Sequence, residues 1–275
     1  NGFEQRFERI SSNSLFVWTQ NTSIPYSGFK IGRNWNIKLS DVETLKKEIP
    51  EIQHIAPRIQ KGNFGSQGAY ISNGTRSGTY NIYGDYPILK VVSQKDIYEG
   101  GRFINELDIR EERKVCVIGE RTQKELFKDE ENPIGQFINI NGIYFKVIGI
   151  HKFFDQGGGS FDDDGDIHVP FSTFKRLYNT GDAVGFLLVA GYDDIDIVDV
   201  EDKVKIKLKE IHKVHPEDNR AIGSFNLGSF FTRAKNFASG MSFISIIIGI
   251  ATILAGVIGI GNILLISVKE RTKEI

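Results

Sequence analysis

The stretch FISIIIGIATILAGVIGIGNILLISV, Phe243 to Val268, constrains this chain more than any other feature. No charged residue occurs between Asn236 and Val268. An apolar run of about 26 residues makes roughly 40 Å of helix at a rise of about 1.5 Å per residue, more than the roughly 30 Å of hydrocarbon it has to cross. Buried helices of soluble proteins are usually shorter and keep a polar face, whereas this one is apolar all round. The pattern predicts a transmembrane helix; a central helix buried in an oligomer is the alternative. It is not a signal peptide, because it lies far from the first residue.

Inside the run, Ala251, Ala255 and Gly259 recur at every fourth position and share one face, with Gly249 and Gly256 beside them. Small residues let helix backbones approach closely in lipid, so Ala251, Ala255, Gly256 and Gly259 are candidate helix-packing positions. Asn262 is the strongly polar side chain of the deeper half, and it is expected to face a neighbouring helix rather than lipid. Lys269, Arg271 and Lys273 follow the run, while Arg233 and Lys235 precede it, so the positive-inside rule leans only weakly toward a cytoplasmic C-terminal side.

The residues before the run have ordinary globular composition. The whole chain is 40% hydrophobic and 25% charged, with a formal net charge of -1. That balance argues against a nucleic-acid partner, which normally requires a basic excess or patch. The single Cys116 has no internal disulfide partner and sits in the apolar run Val115–Ile118, which reads as a buried, inert thiol. The chain opens on NGFEQRF, and it is expected to be a piece of a longer protein in which another membrane helix comes first.

Strands and helices are mixed along the chain. SLFVWTQ (Ser14–Gln20) reads as a strand. SDVETLKKEIP (Ser40–Pro50) reads as a helix, with Ser40 and Glu43 at capping-box spacing, and IQHIAPRIQ after it looks extended. Strands are predicted at Gly78–Tyr83, Lys114–Ile118, Gln136–Ile140, Tyr144–Ile150, Ile167–Val169 and Phe186–Gly191. Asn141-Gly142 between two of them is a strong hairpin signal. Asp196–His212 carries Val200, Val204, Leu208 and Ile211 on one helical face. The class is α+β, with a β-rich middle between two mixed segments.

Signals of chemistry are weak. FDQGGGSFDDDGD (Phe154–Asp166) has the carboxylates and glycines of a calcium loop. Placing Gly165 at the sixth EF-hand position puts Ser160 at the first and Phe171 at the twelfth, so the closing glutamate is absent and a solvated loop is the better reading of 155–166. His212 and His215 have the spacing of a metal pair, but His-x-x-His alone is a weak signal and a solvated helix end competes with it. His54, His151 and His168 have no identifiable partners. No Gly-x-Ser-x-Gly elbow and no phosphate-binding P-loop motif occurs. The spacing Gly256-x-x-Gly259-x-Gly261 falls in the apolar run, where glycine serves helix packing. Trp35, Phe64 and Tyr70, in glycine-containing stretches, are candidate exposed aromatics on a partner surface.

The end of the chain, GVIGIGNILLISVKERTKEI, resembles the second transmembrane helix and following segment of MacB/FtsX-type ABC transporter permeases. Further strings resemble the same family in order: LSDVETLKKEIPEIQHIAP (Leu39–Pro57), Tyr83–Asp85 followed by Gly101-Arg102-Phe103, VCVIGERTQKELF (Val115–Phe127), NPIGQFININGIYFKVIGI (Asn132–Ile150) and DIHVPFSTFKRL (Asp166–Leu177). The resemblance implies a mixed α/β porter-like subdomain (residues 1–82 and 183–235), an inserted β-rich subdomain (83–182), and a transmembrane helix with the start of a cytoplasmic segment (236–275). It implies residues 1–235 outside a bacterial cell membrane, no catalysis and no cofactor in this chain, and an ATPase on a separate or fused nucleotide-binding domain. It also implies a homodimer or related permease as partner, with an adaptor protein and outer-membrane channel as further partners in some branches. Lys269, Glu270, Arg271 and Glu274 become the candidates for coupling to the ATPase. A membrane-anchored binding, adhesion or signalling module is the alternative function.

Overall fold

Alternation of apolar and polar residues sets the strands, and the faces it creates decide where the helices lie. A computed structural model describes residues 13–61, 68–93, 95–128, 132–152, 163–192 and 194–271. It divides into a unit ending at Gly228 and a second from Ser229 onward.

The first unit opens with β1 (Ser14–Thr19) and the short β2 (Ile37–Lys38), followed by α1 (Leu39–Glu48) and β3 (Ile52–Gln60). Helix α1 begins one residue before the expected Ser40, and the expected Ser40–Glu43 box does not form. Lys38 is the extended N-cap residue, and the Asp41 carboxylate accepts its backbone N–H at 2.7 Å. Asp41 does the reciprocal half of a capping box because it stands at the third helical position, where a carboxylate reaches back over the first turn.

Then come β4 (Ala69–Asn73), β5 (Arg76–Tyr80), β6 (Ile82–Asp85), α2 (Leu89–Val92), α3 (Glu106–Arg110), β7 (Val115–Gly119) and α4 (Glu120–Leu126). The stretch expected as one strand over Gly78–Tyr83 is two, β5 and β6, which lie far apart in the sheet. Strands β8 (Phe137–Ile140) and β9 (Ile143–His151) form the predicted hairpin. Asn141 (φ 49°) and Gly142 (φ 89°) both take the left-handed conformation that a two-residue type I′ turn requires. The unit ends with β10 (Ile167–Pro170), α5 (Phe171–Tyr178), β11 (Ala183–Val184), β12 (Phe186–Gly191), α6 (Ile197–Ile211) and β13 (Ile222–Asn226). Asp196 caps α6 by accepting from Val198 N–H at 2.9 Å.

Among the described residues, eleven strands form one sheet in the order β13-β1-β12-β3-β6-β10-β7-β9-β8-β4-β5, and β11 pairs with β2 in a separate ribbon. The pairs β6–β10 and β7–β9 are parallel and the other neighbours in the large sheet are antiparallel. The 83–182 stretch supplies the run from β10 to β8 and nearly all of β6, and β4 and β5, earlier in sequence, continue it to the edge. Leu15, Val17, Ile55, Leu187 and Val189 are buried in one core cluster together with Val200, Val204 and Leu208 of α6. Helix α1 packs on β3 and on α6, and α5 packs on β3, β6 and β10.

The second unit belongs to α7 (Leu227–Arg271), which is helical throughout those 45 residues. Its described side chains are those of 237, 240–261 and 263. Gly240–Gly261 is long and apolar enough to cross a membrane.

Candidate functional site

The centre of the large sheet holds a charged cluster where alternation alone would place apolar side chains. Arg58 on β3 stands opposite Asp85 on β6, and β6 in turn runs parallel to β10, which carries His168. Arg58 Nε donates to Asp85 Oδ1 at 2.6 Å, and His168 Nδ1 lies 2.6 Å from Asp85 Oδ2. The Arg58 and Asp85 side chains are 1% and 0% exposed, and His168 is fully buried, so the pair is desolvated on every side. The guanidinium lies 4.4 Å from the centroid of the Tyr83 ring and 5.3 Å from that of Phe186. The His151 ring sits 4.9 Å from that of His168, and its Nε2 bonds the Asp166 carbonyl at 3.0 Å. Burial alone would raise the Asp85 pKa; the Arg58 charge and the His168 hydrogen bond outweigh it, and the carboxyl ends below its ordinary value.

Two of the family-like strings meet beside this cluster. Arg102 N–H donates to the Ile148 carbonyl at 2.8 Å, which brings Gly101-Arg102-Phe103 against Val147-Ile148-Gly149. Phe103 packs on His168 at 5.8 Å between ring centroids. Arg102 also clamps the buried Asp108 at 2.5 and 3.0 Å, and Asp108 caps α3 reciprocally with Asn105.

The described end of the acidic loop is tied to protein groups. Arg121 on α4 donates to Asp163 at 2.6 Å and to Asp164 at 2.7 Å, and Asn81 donates to Asp166 at 3.0 Å. Residues 154–162, the rest of the expected calcium loop, lie outside the described residues. Among the described residues no group of three or more His, Cys, Asp or Glu is placed to hold a metal ion.

His212 and His215 do not converge. His212 Nε2 meets Asp41 Oδ2 at 2.6 Å, with the Trp35 ring 4.8 Å away, whereas His215 Nδ1 accepts from Glu217 N–H and its ring meets Tyr26 edge-on. Trp35 is therefore not the exposed aromatic expected from its glycine-containing stretch: it is 6% exposed. Tyr70 is exposed, and Phe64 lies outside the described residues. Cys116 is buried, and burial pushes its thiol pKa up, as expected of an inert core cysteine.

On α7 the apolar side chains point away from the helix on all sides, with Ile253, Leu254, Val257, Ile258 and Ile260 all more than half exposed. Ser245 and Thr252 donate their hydroxyls to the carbonyls of Met241 and Ile248, four residues back. That satisfies both hydroxyls within the helix, as an apolar solvent demands. A Cβ added at Gly249, Gly256 or Gly259 would meet nothing within 4 Å. The backbone of Lys269, Glu270 and Arg271 is helical; their side chains, that of Asn262, and all of Glu274 lie outside the described residues.

Low carboxyl pKa values recur through the first unit. Asp41, Asp85, Asp108 and Asp218 all end below the ordinary 3.8 because hydrogen bonds and cations outweigh their burial, and Asp163 lies at about 2. For each group the unfolded chain binds the proton more readily than the folded one. The stability they supply is complete above their unfolded values and is lost as pH falls through the folded ones. The urea midpoint is therefore expected to hold between about pH 7 and 5 and to fall steeply below about pH 4. A midpoint that stays level down to about pH 3 would contradict this assignment.

Sheet, crossover helices and a lipid-compatible helix together define a membrane-anchored α/β domain with a large mixed sheet. The model of the MacB-like periplasmic core domain matches residues 1–206, and the chain belongs to that family. The macrolide export ATP-binding/permease protein MacB of Bdellovibrio bacteriovorus is 29% identical over 277 residues, covering 99% of this chain and 41% of that protein. The pyoverdine export ATP-binding/permease protein PvdT of Pseudomonas putida is 28% identical over 267 residues, covering 97% and 38%. The chain thus spans about two-fifths of the length of these relatives. In fold, it matches the crystal structure of the periplasmic region of MacB from Actinobacillus actinomycetemcomitans with a TM-score of 0.64 at 23% identity, covering 86% of this chain and 99% of that one. The extracellular domain of the noncanonic ABC-type transporter YknZ from Gram-positive bacteria matches with a TM-score of 0.60 at 16% identity, covering 78% and 100%.

Proposed function

We propose that this chain is the extracytoplasmic domain and following transmembrane helix of an ABC exporter permease subunit. Its role is to convert cytoplasmic ATP hydrolysis into movement outside the membrane. The observation that carries the reading is the family match over residues 1–206 followed by an apolar helix over Gly240–Gly261. In this reading residues 1–235 lie outside the membrane, with 83–182 as an inserted β-rich subdomain, and Lys269, Glu270, Arg271 and Glu274 contact a separate or fused ATPase domain. Ala251, Ala255, Gly256 and Gly259 pack against a neighbouring helix of the permease or of a second copy. An adaptor protein and an outer-membrane channel are further partners to seek. The work is mechanical, a shift between two packed states, and asks no bond-making chemistry or cofactor of this region.

The test uses the full-length gene product with its ATPase in detergent or nanodiscs. Alanine at Glu270 and Arg271 is expected to lower ATP turnover by about fivefold or more without lowering expression, the size of an ordinary coupling energy. If no fused or stoichiometric ATPase is found, or if both variants turn over at the parental rate, the coupling role fails.

A further inference from the structure

Strand register places eight side chains on one face of β9, β8, β4 and β5. Tyr144 stands opposite Asn139, Asn139 opposite Ser72, and Ser72 opposite Ser77. Lys146 stands opposite Phe137, and Tyr70 opposite Thr79. The alternate positions turn to the other face. There Tyr80 bonds Glu125 of α4 at 2.7 Å, Asn73 and Arg76 bond the carbonyls of Leu126 and Phe127, and Ile71, Ile138, Ile140 and Phe145 enter the core. The first face therefore looks away from α4, and its three rings stand in solvent: Tyr144 is 65% exposed, Tyr70 60% and Phe137 54%.

The composition of this face selects its ligand. At the eight positions there are three aromatic rings, the small or amide side chains Ser72, Ser77, Thr79 and Asn139, and one charge, Lys146; there is no carboxylate and no aliphatic side chain. A protein-binding patch is built differently, because interface cores favour aromatics together with Met and Arg and are depleted in serine. A nucleic acid or an anionic lipid surface asks for several cations. A neutral, flat chain of sugars is what matches. A β-linked pyranose carries its hydroxyls around the ring edge and presents C–H groups on its two faces. Those slightly positive C–H faces suit the electron-rich faces of aromatic rings, and the edge hydroxyls suit neutral donors and acceptors. Asn139 Oδ1 already accepts from Gly142 N–H at 2.7 Å, so its amide nitrogen is what remains to donate, while the three hydroxyls can donate or accept. Phe137 is the diagonal neighbour of Tyr144, about 7–8 Å away along the backbone lattice. Tyr70 lies on the far side of β8, two strand spacings and one step from Tyr144, which is roughly 12 Å. The rings thus form a platform for an oligosaccharide rather than a pocket for one sugar.

We propose that this face binds an uncharged β-linked glycan. Tyr144, Tyr70 and Phe137 stack against its sugar rings, and Asn139 with the neighbouring hydroxyls bonds their edges. The site lies wholly in the first unit and does not rest on the transport reading.

The test uses the full-length gene product in a detergent without a sugar headgroup, and reads the fluorescence anisotropy of end-labelled oligosaccharides. Cellohexaose and N-acetylchitohexaose are β-linked and extended, whereas maltohexaose is α-linked and curved. A saturable rise is expected with one or both of the first two and none with the third. A response to both identifies recognition of the flat β-linked backbone, and a response to N-acetylchitohexaose alone identifies an acetamido sugar. Tyr70→Ala and Tyr144→Ala are each expected to weaken binding about fivefold, the ordinary worth of one aromatic contact, and together to abolish it. Both rings are more than half exposed, so the variants should keep the parental urea midpoint and isolate binding from folding. No binding of either β-linked probe, equal binding of maltohexaose, or unchanged binding in the double variant would overturn the proposal. So would binding only of a sulfated heparin oligosaccharide that is lost in Lys146→Ala, which would show ion pairing instead. If no sugar binds and the double variant breaks a dimer of the parent in sedimentation, the face is an interface between copies and the glycan reading falls.

Discussion

Replacing Asp85 with alanine is expected to cost about 3–5 kcal/mol of folding stability, the usual result of removing one member of a buried ion pair. The magnitude comes from what is left behind. Arg58 is fully enclosed between the Tyr83 and Phe186 rings, and its guanidinium cannot be neutralised by losing a proton. Without Asp85 the cation stays in the sheet with its main counter-charge gone, and His168 loses the acceptor of its Nδ1 proton. Asp85→Asn should be milder, because the amide oxygen can still accept from one neighbour. The double variant Arg58→Met, Asp85→Leu should regain most of the loss, since apolar pairs of similar volume often replace buried ion pairs at little cost. Urea midpoints of the four proteins at about pH 7 measure this. An Asp85→Ala midpoint within experimental scatter of the parent would mean that Arg58 reaches water, and the cluster would lose its structural role.

This cluster also shows where the primary structure stops informing. Arg58, Asp85 and His168 are separated by 27 and 83 positions, and no local pattern connects them. A signal was present in weaker form. Arg58 interrupts the apolar run of IQHIAPRIQ, Asp85 closes the short strand IYGD, and His168 sits inside IHVP. A charged or titratable residue inside a short buried strand implies a partner on a neighbouring strand, but strand order is needed to say which. The elements written in local periodicity were legible: the amphipathic face of α6, the Asn141-Gly142 hairpin and the apolar length of α7. Strand β4 was not, because AYISN is short and follows a glycine-containing stretch. Trp35 misled for a related reason. Its sequence neighbours Asn34 and Asn36 are polar, and it is buried in the core cluster with contacts that include His212, far away in sequence.

The family-like strings were legible as text, but their physical meaning is a contact between backbones. Gly149 lies in β9, and a Cβ there would stand 2.4 Å from the Arg102 carbonyl oxygen. At Gly101 it would stand 2.8 Å from Gly149 Cα. These obstacles are main chain, so no rotamer change can relieve them. Gly149→Ala is therefore expected to destabilise the domain by about 3 kcal/mol, the upper end of ordinary overpacking. Relief would require moving the 101–103 segment, which breaks the Arg102–Ile148 hydrogen bond and shifts the clamp on Asp108. Lys146→Ala, exposed on the same strand, should change stability by less than about 0.5 kcal/mol and serves as the control. Because Phe103 moves with that segment and packs on His168, Gly149→Ala and Asp85→Ala should be non-additive in a double-mutant cycle. Additivity within about 0.3 kcal/mol would show that the glycine contact and the charged cluster act as independent supports of the sheet. Coupling beyond that value would show that the 101–103 segment and the buried charges hold the centre of the sheet as one unit.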